Sequence, residues 1–247
     1  MKCLILAAGY ATRLYPLTEN FPKPLLKIGG KTILDWLIDD IDTSAVVDEY
    51  IIISNHKYCS HFEAWAASKQ QNITVIDDGT STNETRLGAV KDIQLALEQV
   101  QDAPSDGYLI IAGDNVLDFS LKHFIRYAIS KQTSCIMRYY ESDPERLRHC
   151  GIVEIDSSDR IRNMEEKPAR PKSNWCCPPF YYYTSDDARL IQQGIDSGCG
   201  TDAPGSYIAW LATQVDVHAM EMPGQRYDIG NIDSYNTVQQ TYHGIIH

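Results

Sequence analysis

Short apolar runs alternate along the first half of the chain with longer stretches in which apolar residues recur every three or four positions. The runs at 2–8, 49–54, 73–76 and 108–112 are rich in Ile, Val and Leu, as strands buried on both faces should be. Stretches 31–41, 56–68 and 84–100 carry helical spacing. In the last of these, Leu87, Val90, Ile93 and Leu97 fall on one face. Strand alternating with helix predicts βαβ units, a parallel sheet covered on both faces, and a ligand site at the carboxyl ends of the strands.

The texture changes after position 118. The pattern predicts a helix over 121–130 and strands over 134–140, 151–156 and 161–165. Positions 175–183 read as a strand interrupted by Pro178 and Pro179. Helices over 186–196 and 205–214, a strand over 217–222 and a helix over 232–242 complete the reading. The second half can therefore supply antiparallel strands that cap a site built by the first. There is no internal repeat, low-complexity tract or clear linker, so 1–247 reads as one domain. About 1–118 forms one half and about 119–247 the other.

Lys plus Arg is 22 and Asp plus Glu 33, a formal charge of −11. That balance argues against nucleic acid as a partner, which needs a basic face. The seven cysteines (Cys3, Cys59, Cys135, Cys150, Cys176, Cys177 and Cys199) form no C-x-x-C pair. They read as free thiols, which implies a cytoplasmic location. The apolar run at 3–8 is too short for the core of a signal peptide, and no stretch is long enough to span a membrane, so no membrane partner is expected.

Against this acidic background, residues 1–34 hold Lys2, Arg13, Lys23, Lys27 and Lys31 and a single acid, Glu19. The segment reads LILAAGYATRLYPLTENFPKPLL from Leu4 onward. Small residues after the first strand let backbone N–H groups approach an anion. Arg13 can engage phosphate oxygens with two parallel N–H groups, and Lys23, braced by Pro22 and Pro24, adds a point charge. The dinucleotide pattern G-x-G-x-x-G fails after Gly9. Gly29-Gly30-Lys31-Thr32 mimics the end of a P-loop, but Leu25 stands where that motif needs glycine, so it reads as a turn leading into a helix.

LAAGYATRL followed by PKPLL resembles the N-terminal signature of the sugar-phosphate nucleotidylyltransferases, L-A-[GA]-G-x-[GA]-[ST]-R-[LM] and then P-K. Ala11 stands where many members have glycine. Further resemblances follow in family order: Leu87-Gly88-Ala89, Gly113-Asp114-Asn115, Gly151-Ile-Val, Glu165-Glu166-Lys167-Pro168, and Arg226-Tyr227-Asp228-Ile229-Gly230 for W-x-D-[IV]-G.

The resemblance implies an α/β fold with a doubly wound, Rossmann-like mixed sheet and a small antiparallel acceptor-binding lobe. It implies a nucleoside triphosphate and a sugar 1-phosphate as substrates, Mg²⁺ as cofactor, and a place in nucleotide-sugar and polysaccharide biosynthesis. A homo-oligomer is compatible with it. Leu6, Ala7, Ala8, Gly9, Leu87, Gly88 and Asp114 would bind the nucleotide. Asn115, Gly151, Glu166 and Lys167 would meet the sugar phosphate, and Asp114 and Asp228 would hold the metal. Arg13, Lys23 and Lys167 would be catalytic, balancing charge around the phosphates. Two other readings stay open. In one, the acceptor is phosphocholine or a phosphonate, with Trp175, Tyr181, Tyr182 and Tyr183 caging a quaternary amine. In the other, the chain is a non-catalytic paralogue that binds nucleotide sugar.

Overall fold

The computed structural model describes residues 1–100 and 102–246. Its residues pack into two compact units. One is built from 2–86, 112–123 and 223–246, the other mainly from 87–100, 102–111 and 124–222. Neither unit is continuous in sequence.

In the first unit, Lys2–Leu6, Glu49–Ser54 and Ile73–Asp77 are parallel, with Glu49–Ser54 in the middle. Leu4, Ile5 and Ile51 to Ile53 are buried, which explains their unbroken apolar run. The connecting helices are Ile33–Asp42 and Cys59–Ala66. The Gly29-Gly30-Lys31-Thr32 segment is a turn, as its sequence suggests. Gly29 (φ 58°) and Gly30 (φ 90°) join the two-residue strands Lys27–Ile28 and Lys31–Thr32. Thr32 then caps the helix, accepting from the Asp35 backbone N–H at 3.0 Å while the Asp35 carboxylate accepts from the Thr32 N–H at 3.2 Å. A small ladder, not evident in the sequence pattern, pairs Val116–Leu117 with Arg226–Tyr227. The Tyr242 hydroxyl donates to the Leu117 carbonyl at 2.7 Å and ties the end of helix Ile232–Thr241 to that ladder.

The second unit carries the antiparallel lobe. Ile161–Glu166, Gly151–Ile155, Trp175–Cys177 and Ser134–Tyr140 lie side by side in that order, all antiparallel. Phe180–Tyr183 continues from Ser134–Tyr140 and pairs with Tyr108–Ala112. Pro178 and Pro179 split the predicted strand as expected, and its two pieces join different neighbours. Val217–Glu221 departs from the antiparallel expectation: it runs parallel to Ser134–Tyr140.

Helices are shorter than their apolar periodicity suggests. The predicted helix over 84–100 is a 3₁₀ turn at Asn83–Thr85, an extended link, and a helix at Ala89–Gln99. Gly88 breaks it, with φ at 93°. The first helical N–H groups, those of Ala89 and Val90, donate to the carbonyls of Asp202 (3.1 Å) and Thr201 (3.0 Å). A β-carbon at Gly88 would lie 2.5 Å from the Thr201 oxygen. Leu87 therefore precedes the helix instead of lying on its apolar face. Likewise, 186–196 is two helices, Ser185–Arg189 and Ile191–Asp196.

Gly88→Ala combines a left-handed backbone with a backbone clash and should cost on the order of 3 kcal/mol. Gly198 (φ 80°) has open space around it, so Gly198→Ala should cost roughly 1 kcal/mol. Urea unfolding of both variants checks this, and equal losses would refute the clash.

Candidate active site

The carboxyl end of Lys2–Leu6 opens into a cleft of about 250 Å³ in the first unit, lined by Leu6, Ala7, Gly9, Arg13, Lys23, Asp114, Ile229 and Gly230 among others. Buried Asn55 steadies the loop, donating to the Ala8 carbonyl at 2.9 Å and accepting from the Tyr58 N–H at 3.1 Å. Ala8 thus braces the loop from behind, while open space surrounds Gly9. Ala11 sits in the left-handed region (φ 46°, ψ 41°), where glycine carries no penalty and alanine costs about 1 kcal/mol. Its carbonyl accepts from the Thr18 hydroxyl at 2.8 Å and the Leu14 N–H at 2.9 Å, and these bonds hold the strained conformation. The 3₁₀ turn Thr12–Leu14 then presents Arg13, exposed and without an ion pair among the described residues.

Lys23 is only 9% exposed. Its 3₁₀ turn, Lys23–Leu25, has Pro22 as cap and Pro24 inside, and its ammonium meets the Asp114 carboxylate at 2.7 Å. Gly113 makes this approach possible. Its N–H donates to the Leu6 carbonyl at 2.9 Å, and a β-carbon there would lie 2.9 Å from Ile5 Cγ2. Burial pushes the Asp114 carboxyl up, but the Lys23 ammonium, its hydrogen bond and the Arg226 charge outweigh that and hold it below the usual carboxylate range. Asp114 is therefore ionised at neutral pH.

Asp228 lies at the rim, exposed. A β-carbon on Gly230, which lines the cleft, would be 3.4 Å from Asp228 Oδ2 and 4.0 Å from Arg13 Nη1. The following helix does not use Asp228 as its cap. Asn231 does that, accepting from the Ser234 N–H at 2.8 Å. Asp228 has no hydrogen-bond partner among the described residues, so its carboxylate is available to a ligand.

The second unit holds a separate set. Strand alternation points Glu165 and Glu166 to opposite faces. Glu165 accepts from Asn163 at 3.2 Å and pairs with Lys172. Glu166 packs against two glycines: a β-carbon at Gly151 would lie 2.9 Å from its Oε2, and one at Gly205 would overlap it. Burial pushes the Glu166 carboxyl up, Lys167 opposes this, and Cys150 and Asp202 reinforce it. Lys167 is exposed and strained (φ 47°), with its N–H donating to the Cys150 carbonyl at 3.0 Å.

A family model described as Nucleotidyl transferase matches residues 2–244. The chain belongs to the nucleotidyl transferase family. It is 26% identical to the bifunctional protein GlmU of Methanocaldococcus jannaschii, over 93% of this chain and 51% of that protein. It is also 26% identical to a glucose-1-phosphate adenylyltransferase of Fervidobacterium nodosum, over 94% of this chain and 59% of that one. The chain thus spans little more than half the length of these relatives. In fold it resembles a UDP-glucose pyrophosphorylase solved with UDP-glucose, with a TM-score of 0.82 and 19% identity over 98% of this chain and 97% of that one.

Of the expected residues, the first unit gathers Leu6, Ala7, Gly9, Arg13, Lys23 and Asp114 around one cleft, with Asp228 at its rim. Gly151, Glu166 and Lys167 gather in the second. Asn115 is 1% exposed and bound within the protein, its amide donating to the Ala112 carbonyl at 2.7 Å and accepting from Arg226 at 3.2 Å. Gly88 faces the 201–202 backbone. Arg226 escaped the sequence reading. It occupies the tryptophan position of W-x-D-[IV]-G, and its charge bears on Asp114.

Glu166 carries a testable cost. Its native proton affinity exceeds that of the unfolded chain, whose carboxyl titrates near 4.5. As pH rises through 4.5 the unfolded state sheds its proton first, so stability falls and the deficit persists at neutral pH. Glu166→Gln should melt higher than the parent at pH 7, with an advantage that fades as pH drops below about 4.5. A melting-temperature difference independent of pH would refute this.

Proposed function

We propose that this nucleotidyl transferase moves a nucleoside monophosphate from a nucleoside triphosphate to a sugar 1-phosphate, releasing pyrophosphate and forming a nucleoside diphosphate sugar. The observation that carries this reading is the first unit's cleft, where Arg13 and Lys23 stand with Asp114 and the unpartnered Asp228 lies at the rim. Two cations beside a carboxylate and a backbone loop suit a polyphosphate. The name of the Fervidobacterium nodosum relative, a glucose-1-phosphate adenylyltransferase, points to the same substrate class.

An ionised oxygen of the sugar phosphate attacks the α-phosphorus, and the bond to the pyrophosphate oxygen breaks. No protein nucleophile or general base is needed, because the attacking oxygen is already deprotonated at neutral pH. Both reactants are anions, so the barrier is repulsion and positioning. Arg13 and Lys23 neutralise the triphosphate and the departing pyrophosphate. Lys167 meets the acceptor phosphate, and Glu166 accepts from sugar hydroxyls. Asp114 and Asp228 offer oxygen donors only, the set magnesium prefers, and would hold Mg²⁺. When bound, the ion would neutralise charge on the phosphates.

A caged quaternary amine is disfavoured. Tyr181 and Tyr183 are 2% and 0% exposed, and Arg138 stacks on Trp175 at 4.1 Å. Seven free thiols support a reducing compartment, and we infer the cytoplasm. Among the described residues, no helix is long and apolar enough to cross a membrane.

A pyrophosphate-release screen crossing triphosphates with sugar 1-phosphates, phosphocholine and phosphonates, in Mg²⁺, tests the reading. Asp228→Asn should lower turnover by about 100-fold or more with an unchanged melting temperature, since the carboxylate is exposed and unpartnered. Asp114→Asn should lose both turnover and stability, because it strands the buried Lys23 ammonium. Normal turnover in both variants would sink the assignment of these carboxylates. No pyrophosphate release with any pair would sink the transfer reaction.

A further inference from the structure

Arg226 is fixed by more than its hydrogen bond. It pairs with Leu117, and Tyr227 with Val116, in the small antiparallel ladder. The Asp118 N–H donates to the Gln225 carbonyl at 3.2 Å, and the Gln225 N–H donates to Asp118 Oδ1 at 2.7 Å. The guanidinium therefore has a defined place beside the 114–115 turn.

Its partner there is uncharged. Asn115 donates through its amide nitrogen to the Ala112 carbonyl, so its oxygen is left to accept from Arg226 Nη1 at 3.2 Å. The contact orients Arg226 without cancelling its charge. Lys23 already neutralises Asp114 at 2.7 Å. Lys23, Asp114 and Arg226 together carry one net positive charge, and at the rim the Arg13 and Asp228 charges offset each other.

Resting on the triphosphate reading above, we propose that Arg226 is a third cation of the triphosphate site, held by an uncharged partner. Its charge repels a lone divalent cation from Asp114 and admits one accompanied by polyphosphate. A metal approaching Asp114 alone must displace Lys23 and meet the field of Arg226, which is bonded to the neighbouring Asn115. A triphosphate reverses the sign of the local field, drawing both cations to itself and freeing the carboxylate. By linkage, metal and triphosphate then strengthen each other's binding. Arg226 is a binding residue in this scheme.

Binding to the intact chain tests this without turnover. Mn²⁺ alone is followed by paramagnetic resonance, and tripolyphosphate alone, without metal, by calorimetry. Arg226→Gln should bind tripolyphosphate about tenfold more weakly and Mn²⁺ about tenfold more tightly than the parent. Asn115→Asp keeps an oxygen for Arg226 but cancels its charge, and should shift both affinities the same way. It also carries the test if Arg226→Gln fails to fold. Arg226→Lys keeps the charge and should stay within about twofold of the parent. Parent-like affinities in both charge-altering variants overturn the proposal, as does an Arg226→Lys variant that behaves like Arg226→Gln. If the parent itself binds no tripolyphosphate, the triphosphate reading of the cleft falls, and this inference with it.

Discussion

Lys23 and Asp114 are 91 positions apart in sequence and 2.7 Å apart in space. Much of the first unit's local design serves to hold that pair. A lysine only 9% exposed needs a counter-charge, because an uncompensated ammonium there would cost several kcal/mol. The counter-charge must also remain reachable by ligand. The structure meets both demands by bracing the backbone on each side. Pro22 and Pro24 shape the lysine's turn, and Gly113 lets the aspartate's turn lie against Leu6 and Ile5. Asn55 steadies the loop between them through the Ala8 carbonyl. A longer side chain at 113 would push Asp114 away from the pair, so this glycine acts through distance and not through dihedral freedom.

The carboxylates at the two candidate ligand positions, Asp114 and Glu166, are treated oppositely. Asp114 is desolvated but faces Lys23 and Arg226, so it is held ionised. Glu166 is desolvated between glycines with Lys167 as its nearest compensation, and Cys150 and Asp202 oppose that help, so its proton is held more tightly. A carboxylate meant for a metal or cation must be charged before ligand arrives. One meant for neutral hydroxyls gains most of its partners only when the ligand is present. The folded chain therefore bears a cost at Glu166 that a bound acceptor would relieve, whereas Asp114 is already compensated. This asymmetry fits two different ligand chemistries in the two units.

The fold class and the motif sites were legible because they rest on local pattern. Buried strands such as Glu49–Ser54 show as apolar runs, and the cleft loop shows as small residues beside isolated cations. What escaped depends on contacts distant in sequence. Periodicity placed Leu87 on a helix, but the Thr201 and Asp202 carbonyls take the first helical N–H groups, and the helix starts at Ala89. The two-residue ladder of Val116–Leu117 with Arg226–Tyr227 is too short to leave a pattern. Arg226 was hidden for the same reason, since its meaning depends on Asn115 across that ladder. Val217–Glu221 reads as a strand, but nothing in its sequence states which neighbour it joins or in which direction.

Departures from the family signature divide by mechanism. Ala11 replaces a glycine at a left-handed position, a change that costs backbone energy. The two bonds to its carbonyl keep the loop's shape, so the departure leaves the chemistry alone. Arg226, at the tryptophan position, departs differently, together with its partner Asn115. They leave the backbone alone and change the charge around Asp114. Had position 115 carried a carboxylate, Arg226 would be neutralised locally and the cluster would lose its net positive charge. The amide preserves the hydrogen bond and withholds the charge. Taken as a pair, Asn115 and Arg226 tune the cleft's electrostatics, whereas taken singly each looks like an ordinary substitution.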